Sequence, residues 1–152
     1  MQKVLFIRGL PGSGKSTMAR AIADDGSFVH IEADQYFERS GSYKFDAEKL
    51  RDAHAWCLAR FHLALDAGRH VVVANTFVNK AQLRSYFEVA YSHGIRPVVW
   101  EATGKWRSIH NVPKEKMEIM ARVYEKDVSG LYEEFDPLLA HKREQQSDAP
   151  VI

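Results

Sequence analysis

Residues 9–16 read Gly-Leu-Pro-Gly-Ser-Gly-Lys-Ser, and no other stretch restricts the possible folds of this 152-residue chain as strongly. Glycines at positions 9, 12 and 14 let the backbone curl where side chains would clash. Residues 4–7 ahead of the stretch are apolar and strand-like, and behind it Met18, Ala19, Ile22 and Ala23 recur at helical spacing. A glycine-rich turn between a strand and a helix aims unpaired backbone N–H groups, together with the positive end of the helix, at one point in space. Such a point attracts an anion.

The order glycine, four residues, glycine, lysine, serine is the Walker A phosphate-loop pattern. With glycine at about 7% of average composition, a chance match in a chain this long has a likelihood of roughly half a percent. The bland alternative is a glycine-rich linker. The expected ligand is ATP, wrapped by Gly9, Pro11, Gly12, Ser13, Gly14, Lys15, Ser16 and Thr17. Lys15 is expected to pair with the β and γ phosphates, and the Ser16 hydroxyl to ligate a Mg2+ ion bridging the same oxygens.

Composition narrows the class. Hydrophobic residues make up 45% and charged residues 27%, a globular balance. The single cysteine, Cys57, excludes an internal disulfide and a cysteine-based zinc site, and lies on an apolar stripe as a core thiol. No apolar run reaches the roughly 18 residues of a membrane span, and the first residues lack a signal-peptide pattern, so the expected setting is cytoplasmic and away from membranes. A formal net charge of +1 is too small for strong nonspecific binding to long nucleic acid, although residues 36–100 hold nine basic and six acidic side chains.

The remaining pattern alternates strands and helices, which predicts an α/β three-layer sandwich with a mostly parallel sheet. Further strands are predicted at residues 28–31, 71–74 and 97–100. Asp46 is expected to cap a long helix with the buried stripe Leu50, Ala53, Cys57, Phe61 and Ala64; Asn79 with Gln82 opens the next, with Leu83, Phe87, Ala90 and Tyr91 inward. Pro113 opens a helix with the stripe Met117, Met120, Ala121 and Tyr124. One domain is expected over residues 1–140, followed by a polar, fraying tail at 141–152.

A phosphate loop alone does not separate kinases, switches and motors. The third strand ends Ala74-Asn75-Thr76, without the acidic residue a motor uses to hold its metal. Asp34, just past the second strand, stands at the sheet edge where ligands gather and is the candidate general base for an attacking hydroxyl; otherwise it is a turn residue. Tyr36, Phe37, Tyr43 and Phe45 follow it and read equally as base-stacking rings or as core. His54 and Trp56 read as packing residues.

The stretches RGLPGSGKSTMARAIA, IEADQYF, AHAWCLARF, VVVANT and HNVPKEKMEIMARVYE, over about residues 3–126, resemble the small P-loop kinases related to the kinase domain of phage polynucleotide 5'-hydroxyl kinases and zeta toxins. The resemblance implies transfer of the ATP γ-phosphoryl to a hydroxyl, often the 5'-hydroxyl of DNA or RNA, with Asp34 as base. It implies that Arg107, in a shortened cover segment, reaches the β or γ phosphate, with His110 or Lys105 as substitutes. Phe37 stands where the phage enzymes place an acceptor-binding arginine, Arg39 is nearby but out of register, and Asn75 and Thr76 keep part of a longer acceptor-side motif. The acceptor is therefore a nucleic-acid end, a hydroxylated base in DNA, or a nucleoside or nucleotide. The competing readings are a small-metabolite kinase and a noncatalytic ATP-binding regulatory module.

Overall fold

The computed structural model describes residues 1–106 and 112–147. Strands β1 (Val4–Arg8), β2 (Phe28–Ile31), β3 (His70–Ala74) and β4 (Val98–Glu101) form one sheet in the order β2-β3-β1-β4. All three pairings are parallel: Phe6 lies beside Val73 on one side and Val99 on the other. Each expected strand is present, shifted by at most one residue.

The helices are α1 (Lys15–Ala23), α2 (Leu50–Asp66), α3 (Lys80–Ser92), α4 (Lys114–Val123) and α5 (Gly130–Ser147). They cover the sheet unequally. Alternation along the strands sends Leu5, Ile7, Val72 and Ala74 towards α1, where Ala19, Met18 and Ile22 meet them. Val4, Phe6, Val71 and Val73 point the other way, into a larger core built with α2, α3 and α5. β1 and β3, covered on both faces, are apolar apart from Arg8 and His70 at their ends, as a parallel sheet requires.

Phe6 is the centre of the larger core. Its ring is fully buried and lies 5.6–5.9 Å from those of Phe61, Phe77, Tyr86 and Phe87. α2 supplies Ala53, Cys57, Phe61 and Leu65 at helical spacing, with Leu50 and Ala64 on the flanks of that stripe. α3 supplies Leu83, Phe87, Ala90 and Tyr91, as its periodicity predicts. Asn79 Oδ1 accepts from Gln82 N, and Gln82 Oε1 accepts from Val78 N, which fixes the start of α3. Asp46 caps a short 3-10 turn, Ala47–Lys49, so α2 itself opens at Leu50.

The C-terminal third departs most from the sequence expectation. α4 has no buried residue: Met117 and Met120 are half-buried, Ala121 is exposed, and Pro113 lies just before the helix. α5 does not stop near Asp136; it passes Pro137 and carries helical backbone to Ser147, through the first seven positions of the expected tail. Leu131 and Phe135, four apart, are buried, and Asp136 accepts from both Tyr91 Oη and Arg96 Nε. Those contacts anchor the helix against α3, and Pro137 is tolerated within it.

Removal of the Phe6 ring by Phe6→Ala is expected to lower unfolding free energy by about 3–5 kcal/mol in urea titration. Leu63→Ala, at a side chain 68% exposed on α2, is expected to change it by less than about 0.5 kcal/mol.

Candidate active site

The turn from β1 to α1 has the geometry that its glycines foreshadow. Gly9, Gly12 and Gly14 all have positive φ, and Gly14 sits in the left-handed region at the head of α1. A Cβ on Gly9 would lie 2.5 Å from both the Ala102 carbonyl oxygen and Ser13 Oγ. The loop is held from two sides: Gly9 N donates to Thr76 O at 3.2 Å, and Gly104 N and Trp106 N donate to Ser13 O and Gly12 O at 3.1 and 2.8 Å. Lys15 folds back over it, Nζ donating to Leu10 O at 3.0 Å. Burial pulls the Lys15 pKa down to about 8, against the opposing pull of the Glu32 and Asp34 carboxylates.

Asp34 lies in a 3-10 turn, Ala33–Glu38, that begins directly beyond β2. The turn is locked by reciprocal bonds: Glu32 accepts from the Gln35 backbone N–H, and Gln35 Oε1 accepts from Glu32 N. Asn75, 8% exposed at the end of β3, accepts from Ala33 N through Oδ1 and faces Cys57 Sγ through Nδ2. Asn75 thus positions the acid's turn from within, and the sequence carries no hint of that. Tyr43 Oη donates to Asp34 at 3.3 Å; burial first, and then the Asp34 charge, push the phenol pKa up to about 12.

Arg8, missed in the sequence reading, has the same kind of duty. It is 1% exposed, donates to the Phe77 carbonyl through Nε and Nη2, reaches the Val78 carbonyl, and lies 4.2 Å from the Tyr124 ring centroid. Its carboxylate neighbour is Glu101, at 4.0 Å. The arginine clamps the turn after β3, where Phe77 holds φ at 42° with its ring buried against Phe6 and Tyr86.

Two openings flank this region, and the larger borders the Asp34 turn. One is a groove of about 660 Å³ lined by Tyr36, Arg39, Lys44, Phe45 and Lys49 among others. Tyr36 is half-buried with the Arg39 guanidinium 3.7 Å from its ring centroid, and Phe45 is 48% exposed with Lys116 Nζ 5.8 Å away. Phe37 instead turns inward, 5% exposed, against the rings of Tyr36, Tyr43 and Phe45. The other opening, about 250 Å³ between α2 and α3, is lined by His54, Asn75, Phe77, Gln82, Ser85 and Tyr86. His54 lines it and is exposed rather than packed as expected; partial desolvation lowers its imidazole pKa while the Asp34 charge works against the shift. Trp56 packs on Tyr36 as expected, and Cys57 is a buried thiol whose pKa burial raises. Arg107 and His110 lie outside the described residues, and Lys105 is exposed.

The arrangement brings an amide-lined anion loop, a lysine and a carboxylate together at one sheet edge, where β1 has neighbours on both sides. The Ser16 hydroxyl and the Glu32 and Asp34 carboxylates offer oxygen only, which suits a hard ion such as Mg2+, and Glu32 is also bonded to His30 Nε2 at 2.9 Å.

The Lys15 pKa carries a pH signature. A phosphate chain binds the ammonium form, which predominates below about 8 in the free protein and is lost above it. Triphosphate affinity is expected to fall about tenfold from pH 7 to pH 9, with proton uptake on binding at the higher pH, as read by calorimetry in buffers of different ionisation enthalpy.

Comparison with known proteins agrees with this geometry. A family model described as an AAA domain matches residues 4–129. Human NEDD4-binding protein 2 is 32% identical over 137 residues, 83% of this chain and 8% of that protein. The 2',3'-cyclic-nucleotide 3'-phosphodiesterase of Pongo abelii is 35% identical over 146 residues, 90% of this chain and 33% of that protein, so the chain spans a third or less of both. A chain of the Pnkp1/Rnl/Hen1 RNA repair complex superposes with a TM-score of 0.57 at 16% identity, over 95% of this chain and 46% of that one; it speaks for the fold. The chain belongs to the AAA domain family that the model describes.

Proposed function

We propose that the chain is a Mg2+-dependent phosphotransferase that moves the γ-phosphoryl of ATP to a hydroxyl on a nucleic-acid end, a hydroxylated base, or a nucleoside. The observation that carries this reading is the glycine-built loop after β1 with the Asp34 turn at the same end of the parallel sheet, near enough for the carboxylate to act on Lys15: one would hold phosphate charge and the other would accept a proton. The acceptor hydroxyl gives its proton to Asp34 as its oxygen attacks the γ-phosphorus. The bond to the β–γ bridging oxygen breaks and ADP leaves. Loop amides and Lys15 stabilise the charge that builds on the phosphate oxygens, and Ser16 would hold the metal, which would supply further neutralisation of that charge. Arg107 is assigned the remaining phosphate contact.

The groove beside Asp34 supports a nucleic-acid acceptor. Arg39, Lys44 and Lys49, set against the single lining carboxylate Asp46, supply phosphate contacts, and the exposed Phe45 supplies a ring face for an unpaired base. The name of the RNA repair complex points the same way. The smaller opening favours a second reading, a small-metabolite kinase, because its lining has no lysine or arginine to meet a phosphate backbone.

Labelled γ-phosphate transfer to 5'-hydroxyl oligonucleotides, nucleosides and a polyol panel separates the two. With the leading reading, oligonucleotides are labelled, and Asp34→Asn cuts turnover at least ~100-fold while ATP still binds. The double change Lys44→Ala, Lys49→Ala is expected to raise the oligonucleotide KM and to lower the slope of log affinity against log salt by about 2. Label on polyols alone moves the acceptor to the smaller opening; ATP binding with no transfer to any acceptor leaves a noncatalytic module.

A further inference from the structure

The groups described so far grip phosphates and an acceptor; none of them holds the base of the nucleotide. The sheet order restricts where that base must lie. The acid turn follows β2 and the segment 102–106 follows β4, so they stand on opposite flanks of the phosphate loop that follows β1. Because the γ-phosphoryl must face Asp34, the nucleoside end has to leave across the β4 flank. Trp106 stands there.

Trp106 is not a loosely hung surface residue. Its N–H donates to Gly12 O at 2.8 Å, two residues after Gly104 N donates to Ser13 O at 3.1 Å, so the segment is bonded to the phosphate loop itself. The indole lies in a slot left by two missing side chains. A Cβ on Gly14 would come within 2.9 Å of Trp106 Cζ3, and one on Gly104 would overlap the same ring. Gly104 is not part of the phosphate-loop motif, and this slot explains it. Although it is fixed at its backbone and seated at one edge, Trp106 remains 68% exposed. A rigid, open indole beside an anion cradle is a stacking surface.

We infer that Trp106 is the platform on which the base of the bound nucleotide stacks, a reading that rests on triphosphate binding by the loop and on Asp34 as the general base. Stacking uses the π-face and leaves the hydrogen-bonding edge of the base unread. ATP and GTP are therefore accepted alike, and the smaller pyrimidine rings less well.

The test measures binding of ATP, GTP, CTP and inorganic tripolyphosphate, each with Mg2+, to the wild-type chain, Trp106→Phe and Trp106→Ala by calorimetry. The wild type is expected to prefer ATP to tripolyphosphate by between about fivefold and about 150-fold, the worth of one stacked base. Trp106→Ala should erase most of that preference without changing tripolyphosphate affinity, and Trp106→Phe should keep much of it. Three results would overturn the inference: an undiminished ATP preference in Trp106→Ala, equal loss of ATP and tripolyphosphate affinity, or strong discrimination of ATP from GTP. If the wild-type chain binds neither ATP nor tripolyphosphate, the triphosphate reading fails first, and the base platform falls with it.

Discussion

The backbone amides freed between β1 and α1 set the terms for the rest of the molecule. A strand that stops and a helix that starts within a few residues leave N–H groups outside both the strand ladder and the helix's own bonds, and Gly14 caps that turn in the left-handed region at the helix's positive end. A side chain on Gly9 would meet backbone oxygen and the Ser13 hydroxyl, so the loop keeps its shape only with glycine there. β1 lies between β3 and β4, and both neighbours reach back to the loop: Thr76 takes the Gly9 N–H, and the β4 side supplies the bonds from Gly104 and Trp106.

The acid is placed by the same economy of backbone groups. Asn75 leaves β3 and grips the Ala33 N–H, which fixes where the turn after β2 begins and therefore where Asp34 stands. Arg8 does the reverse, collecting carbonyl oxygens after β3 from a nearly fully buried position. A buried guanidinium is costly to desolvate and is held by several acceptors at once. It sits one residue from Gly9, so the clamp on the Phe77 turn and the start of the anion loop are mechanically one piece.

Much of this was legible in the sequence. The glycine spacing and the flanking periodicities located the loop, the strand and the helix, and apolar stripes on α2 and α3 were visible because both helices bury one face at regular spacing. Asp34 was legible as an acid at a strand end. What stayed hidden depended on contacts between distant segments. Asn75 and Arg8 act through backbone partners on other elements, and no local pattern marks such partners. Phe37 and Phe45 belong to one aromatic run, yet one is core and the other exposed, a distinction set by the fold of the 33–49 segment. α5 outlasts its apolar periodicity because packing of Leu131 and Phe135 outweighs the local cost of Pro137 and the polar composition beyond it. α4 shows the opposite: an apolar stripe in sequence that no neighbouring element fully covers.

Backbone amide NMR on the isotopically labelled chain, titrated with ATP and Mg2+, examines the central feature atom by atom. If the loop grips a triphosphate, the N–H resonances of Gly12, Gly14, Lys15 and Ser16 shift strongly and saturably, because each gains a charged acceptor. Saturable shifts confined to other elements, or none at all in a well-dispersed spectrum, would contradict that grip and every role assigned around it.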